Sequence, residues 1–227
     1  MDDIWLGAPN QGGQDSGAAY LVLGQTGSGG GSTSIGNADT KLGGLTQSGF
    51  LGSAVAIAGD VNDDGFDDLL AGESCYGATG CAGNVYLIYG DSALSSNIPS
   101  ENADAIFAGG TDQDGVGTSI AAADDVDQDG YADVVFGGPY VDSGSSTDAG
   151  TAYLFYGYAS LGGSISASSA DFSVTGAAAG DEAGYALAGG ADANDDGYRD
   201  LLVGAPYADP GGLTDGGQAT LWFGGGY

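Results

Sequence analysis

The chain is 227 residues long and carries 31 acidic residues against two basic ones, Lys41 and Arg199, for a formal net charge of −29. That balance excludes nucleic acid as a partner, because binding it means neutralising phosphates with lysine and arginine, and it disfavours anionic membrane surfaces. Despite 47 glycines, a 42% apolar fraction with 10% aromatics excludes a disordered chain, and no apolar run is long enough for a membrane-spanning helix.

The chain opens on Met1-Asp2-Asp3, with no charged-then-apolar leader; a secretion signal was removed, lies upstream or does not exist. Asp3 is followed by the apolar run Ile4-Trp5-Leu6, then Gly7-Ala8-Pro9. Next comes a strand pattern, Gly17 to Gly24 around Tyr20, and another begins at Ala38-Asp39. Gly52 to Gly59 is a third apolar stretch, rich in alanine. It leads into an acidic turn, Asp60-Val61-Asn62-Asp63-Asp64-Gly65-Phe66-Asp67-Asp68, and then into Leu69-Leu70-Ala71-Gly72.

From there the order repeats. The acidic turn returns at Asp125-Val126-Asp127-Gln128-Asp129-Gly130-Tyr131-Ala132-Asp133 and at Asp192-Ala193-Asn194-Asp195-Asp196-Gly197-Tyr198-Arg199-Asp200. The ninth-position aspartates Asp3, Asp68, Asp133 and Asp200 are 65, 65 and 67 residues apart, so Asp3 sits where a fourth turn would end. The Tyr-Leu strand returns at Tyr86 and Tyr153, and with Thr at 220; the Ala-Asp start returns at Ala103 and Ala170. Four short strands per repeat of about 65 residues, with no helical periodicity, predict an all-β fold of β-propeller blades. The Ala/Gly-rich strand before each turn is the innermost, where blades crowd the axis. The chain accounts for about fourteen strands, roughly three and a half four-stranded blades, the first lacking its inner strand and the last its outer one. The repeats run approximately 1–44, 45–110, 111–177 and 178–227 of a single domain, 1–227.

The shared turn, D-x-[DN]-x-D-G-[FY]-x-D, places oxygen side chains at positions 1, 3, 5 and 9 with glycine at 6. Taken singly it could be a solvated acidic turn. Three copies in register point to a hard cation that takes six to eight oxygens, Ca2+ rather than Mg2+ or Zn2+. An EF-hand is excluded, since no Glu follows at position 12 and strands rather than helices flank the turn. The expected ligands are Asp60, Asn62, Asp64, Phe66 and Asp68; Asp125, Asp127, Asp129, Tyr131 and Asp133; and Asp192, Asn194, Asp196, Tyr198 and Asp200. The aromatic at position 7 contributes its backbone carbonyl, its ring to packing, or the ring alone. About three Ca2+ per chain follow. Asp112/Asp114 and Asp181/Glu182 lack the motif and read as solvated turn residues.

Cys75 and Cys81, in one glycine-rich loop, either close a small disulfide, implying an oxidising compartment, or are two free thiols. Zinc is disfavoured: the chain has no histidine and no other cysteine to complete four ligands.

These motifs resemble FG-GAP repeats, which build the propeller of integrin α-subunits and of many bacterial surface proteins. The resemblance covers essentially the whole chain, although the Phe-Gly element is reduced to Leu51-Gly52, Val116-Gly117 and Ala183-Gly184, and Gly-Ala-Pro to Gly72-Glu73-Ser74 in one repeat. It implies a seven-bladed propeller with Ca2+ in turns on one face and ligand-binding loops on the other. The expected function is a secreted or cell-surface, calcium-stabilised interaction or adhesion module. Its protein or glycan partner would meet loops 73–82, 140–149 and 207–216, which carry Tyr76, Tyr140 and Tyr207. The alternative is a structural protein assembling into a ring or fibre through incomplete end blades, as a homo-oligomer, or a segment of a longer propeller. An enzyme is not expected: without histidine or a nucleophile motif, chemistry would fall to a carboxylate pair of glycosidase type.

Overall fold

The computed structural model describes residues 3–24 and 34–225. Met1 and Asp2, read above as the acidic start, lie outside the described residues.

The first repeat gives β1 (Ile4–Ala8), β2 (Ala18–Val22) and β3 (Thr40–Gly43). The second gives β4 (Leu51–Gly59), β5 (Asp68–Glu73), β6 (Asn84–Ile88), β7 (Ile98–Pro99) and β8 (Ala105–Ala108). The third gives β9 (Ser119–Asp124), β10 (Asp133–Gly138), β11 (Thr151–Phe155), β12 (Gly163–Ser166) and β13 (Phe172–Thr175), and the last β14 (Ala186–Ala191), β15 (Asp200–Ala205) and β16 (Gln218–Trp222). Among the described residues the only helical elements are four single 3-10 turns, such as Ser100–Asn102. The strands form four sheets, which make a partial β-propeller.

Within a blade the strands run antiparallel from the inner edge outward, β4-β5-β6-β8 in the second and β9-β10-β11-β13 in the third. The strand count departs from the expected fourteen. Sixteen form among the described residues, because β7 joins β3 in parallel and β12 joins β8 in parallel. Each comes from the connection in the following blade, so every such blade adds a strand to its predecessor's outer edge. These segments carry little strand signal of their own; they are extended because an open edge offers unpaired N–H and C=O groups.

The hydrophobic core lies between blades. Trp5 and Leu21 of the first blade pack on Leu69, Ala71, Tyr86 and Ile88 of the second. Leu70, Val85, Leu87 and Phe107 of the second face Val134, Phe136, Tyr153 and Phe155 of the third, with the Phe107 and Phe155 ring centroids 4.7 Å apart. Val135 and Leu154 of the third meet Leu201, Leu187 and Trp222. Alternate residues of β5 and β10 thus serve opposite neighbours, which is why these strands read as continuous apolar runs.

Glycine sets how closely blades approach. A Cβ at Gly7, Gly72 or Gly137 would lie 2.1, 2.0 or 1.9 Å from the carbonyl oxygen of Gly52, Gly117 or Gly184 in the next blade. The Gly of the degraded Phe-Gly element and the Gly before Ala-Pro are therefore two sides of one backbone contact.

Candidate metal centre

Each acidic turn links the inner strand of a blade to the next, β4 to β5, β9 to β10 and β14 to β15, at one end of the sheets. In the first, Asp60 Oδ1 accepts from the Asp64 N–H (3.0 Å) and Oδ2 from the Gly65 N–H (2.8 Å); Asn62 Oδ1 accepts from Asp64 N–H (3.1 Å) and Asp64 Oδ1 from Phe66 N–H (3.0 Å). The same bonds recur in the second turn through Asp125, Asp127 and Asp129, and in the third through Asp192, Asn194 and Asp196. The backbone holds these side chains inward, each oxygen keeping a further lone pair. The glycine at position 6 is left-handed, with φ of 93°, 97° and 94° at Gly65, Gly130 and Gly197, a conformation that favours glycine. Position 4 is left-handed too, at Asp63, Gln128 and Asp195, a feature the motif did not announce.

The ninth aspartate does something the sequence did not reveal. Asp133 is fully buried; its Oδ2 accepts from the N–H of Val126, inside the turn, and its Oδ1 from the N–H of Gly157, at the end of β11 (2.7 and 2.9 Å). Asp68 makes the same pair with Val61 and Gly90, and Asp200 with Ala193 and Gly224. This residue clamps the turn to the third strand of its blade. Asp3 likewise accepts from the Gly24 N–H at 2.7 Å.

Burial pushes the Asp133 carboxyl up to about 7 and that of Asp68 to about 6, against the lowering pull of those backbone N–H groups; neighbouring turn carboxylates raise both further. Asp127 is raised as well, by burial and then by Asp129. Asp192 is lowered, chiefly by the N–H of Gly197. Carboxylates that repel one another, gathered around one buried aspartate, suit a divalent cation. Asp125, Asp127 and Asp133 each bring a carboxylate oxygen within 4.8 Å of the others, and the donor set is oxygen throughout. Such a site fits Ca2+. The position-7 rings differ in exposure, Phe66 open to solvent and Tyr131 half-buried.

Two acidic pairs read as solvated turns are only partly so. Asp114 and Asp181 are buried: Asp114 Oδ2 accepts from Gly110 and Thr111 N–H (3.1 and 2.7 Å), and Asp181 Oδ2 from Ala178 N–H (2.9 Å). The buried carboxylates cap tight turns whose donor residues, Gly110, Thr111 and Ala178, lie at the surface.

At the opposite end of the strands, Tyr76 and Tyr140 bring their rings to 5.6 Å. Burial raises the Tyr140 hydroxyl to about 12, and Glu182, Tyr76, Tyr185 and Tyr207 are near enough to add to the shift. Three loops from successive blades therefore share one tyrosine-rich surface. Cys75 and Cys81 are disulfide-bonded in the first of them.

A family model for the FG-GAP repeat matches residues 116–155 and 183–222, each running from the start of an inner hairpin to the blade's third strand. The chain carries FG-GAP repeats. The same strands and turn occur at 51–88, outside the matched segments. Among curated relatives, phosphatidylinositol-glycan-specific phospholipase D of Mus musculus is 34% identical over 173 residues, 74% of this chain and 20% of that protein. Integrin alpha-V of Gallus gallus is 35% identical over 103 residues, 45% of this chain and 10% of that protein. Integrin alpha-IIb of Mus musculus is 38% identical over 89 residues, 39% of this chain and 8% of that protein. The chain thus spans a fifth or less of these relatives. The similarity lies in the FG-GAP blades.

Proposed function

We propose that this FG-GAP protein is a calcium-braced adhesion-type module, working outside the cell or on its surface, that presents its tyrosine-rich loop face to a protein or glycan partner. The observation that carries the proposal is the threefold recurrence of one oxygen-lined turn with the same internal hydrogen bonds. Ca2+ would be held by Asp60, Asn62, Asp64 and Asp68 and by their equivalents around Asp125–Asp133 and Asp192–Asp200, with the carbonyls of Phe66, Tyr131 and Tyr198. Its role is structural: it neutralises clustered carboxylates and binds only the folded turn, so it stabilises the blades by mass action. The disulfide and the similarity to integrin α-subunits support an oxidising, calcium-rich setting.

The proposal is binding, not catalysis. Phospholipases share these blades over a fifth of their length, and the clustered carboxylates of this chain are assigned to the turns. Titration calorimetry with Ca2+, coupled to melting with and without chelator, tests the reading. About three ions per chain and a large loss of stability on chelation support it; no binding, or binding without a stability change, refutes it.

A second reading, association of end blades between copies, has its own observation. Ile4 and Leu6 of β1 are 55% and 41% exposed, and Leu202 and Leu221 of β15 and β16 are 40% and 42% exposed, whereas the equivalent residues of the second blade, Leu69, Ala71, Leu70 and Leu87, are buried between blades. Sedimentation velocity across a concentration series decides it, a constant monomer excluding association.

A further inference from the structure

The second blade holds a group that its sister blades lack. Where Ala8, Gly138 and Ala205 follow the glycines at the same motif position, β5 ends in Glu73, whose side chain is fully buried. Its Oε2 accepts from Tyr86 Oη (2.6 Å) and Asn84 Nδ2 (2.9 Å), which fix the carboxylate. Its Oε1 is buried without a hydrogen-bond partner. Such an atom destabilises the fold unless something complements it. The same blade carries the chain's two cysteines, and a carboxylate oxygen of Glu73 lies within 4.8 Å of both sulfurs. A buried carboxylate and both cysteines thus coincide in one repeat of the four, although nothing in the propeller architecture demands either.

We propose that this cluster is a redox-gated site for a thiolate-preferring divalent cation of the Zn2+ class. In the oxidised protein the Cys75–Cys81 disulfide closes it. A dithiol reductant opens it: the disulfide takes two electrons and two protons and becomes two thiols, while the dithiol closes to its own disulfide. The cation then displaces the two thiol protons and is held by Cys75 Sγ, Cys81 Sγ and one Glu73 oxygen, with water as the fourth ligand, the composition of an open tetrahedral site. Cys81 is half-exposed and gives the reductant access, while Cys75 and Glu73 are buried. Tyr86 and Asn84 act as positioning residues by orienting the carboxylate. The net charge of −29 draws divalent cations toward the surface. Glu73 supplies the ligand that the cysteines alone lacked. The site is separate from the acidic turns, at the other end of β5.

The test uses the full chain with Ca2+ in excess, so that oxygen sites are filled. Protein reduced with a phosphine and desalted without oxygen is titrated with Co2+, and the thiolate-to-cobalt charge-transfer band and tetrahedral d–d bands are recorded. The expected result is one cobalt per chain with both features in the reduced protein and neither in the oxidised protein. Glu73→Gln should weaken Co2+ binding by about tenfold or more and shift the d–d bands. Absence of a charge-transfer band in the reduced wild type overturns the proposal, and so does a Glu73→Gln variant with unchanged affinity and spectrum. Should that variant fail to fold, X-ray absorption of the Zn2+-loaded wild type decides alone. Two sulfur and two lighter scatterers uphold the site, and any shell with fewer than two sulfurs removes it.

Discussion

The backbone N–H of Ala132 donates to the carbonyl oxygen of Asp60 at 2.9 Å. Asp60 is the first residue of one acidic turn, and Ala132 stands between Tyr131 and Asp133 in the turn of the next blade, so the two candidate ion sites share a hydrogen bond. The third turn is joined differently, by Gln128 Nε2 to the Gly197 carbonyl (2.8 Å) and by the Arg199–Asp124 ion pair (2.8 Å).

The first prediction follows from that link. Asp60→Ala should abolish ion binding in its own turn and also weaken the 125–133 turn by about fivefold, a coupling of about 1 kcal/mol. Calorimetric Ca2+ titration of the variant against wild type reads both effects. Loss of one site with the others unchanged means the turns are independent.

The clamp and the exposed ligands should separate cleanly. Asp133→Ala strips the acceptor from two buried N–H groups, those of Val126 and Gly157, and should cost about 2–4 kcal/mol with or without calcium. Asp129→Ala touches an exposed turn and should cost under about 0.5 kcal/mol in chelator, while removing the calcium-dependent gain of that turn. Denaturant unfolding at mildly acidic pH, with and without chelator, distinguishes the two.

The pH dependence has a definite sign. Asp133 and Asp68 have folded values of about 7 and about 6, above the ordinary 3.8 of the unfolded chain. Between those values the folded state holds more protons, so in chelator stability is greatest below about pH 4 as far as these groups are concerned and falls as pH rises through about 7. On the proposed function calcium takes the ionised forms, so its stabilisation should grow over the same range. Melting curves from about pH 5 to about pH 8 should show the gap between calcium-loaded and chelated protein widening; a constant gap contradicts the assignment.

Glycine at the blade contact can be tested against an internal control. A Cβ at Gly137 would meet the Gly184 carbonyl at 1.9 Å, and Gly137→Ala should destabilise by about 3 kcal/mol or prevent folding. At Gly204, the same motif position in the last blade, the nearest atom is 3.3 Å away, and Gly204→Ala should change stability by under about 0.5 kcal/mol. Equal effects would mean the blade contact does not set the cost.

The amino-acid sequence determined the period of 65 to 67 residues, the strand order within a blade, and the oxygen-lined turns with glycine at position 6, because each is local or repeats at fixed spacing. Three copies of a nine-residue pattern are legible without any contact. The tertiary structure alone decided which groups meet across blades. β7 and β12 are extended only because a neighbour's outer edge accepts them, Asp114 and Asp181 are buried only where their turns pack, and Asp60 meets Ala132 only when two blades lie side by side. Glu73 shows the limit most directly. Two residues before Cys75 in the chain, it is one more acid in an acidic protein. Its significance, a buried carboxylate with one unpartnered oxygen and with both sulfurs close by, arises from the close packing of β5, β6 and the 44–50 segment, and such desolvation is a property of the fold that no residue pattern carries.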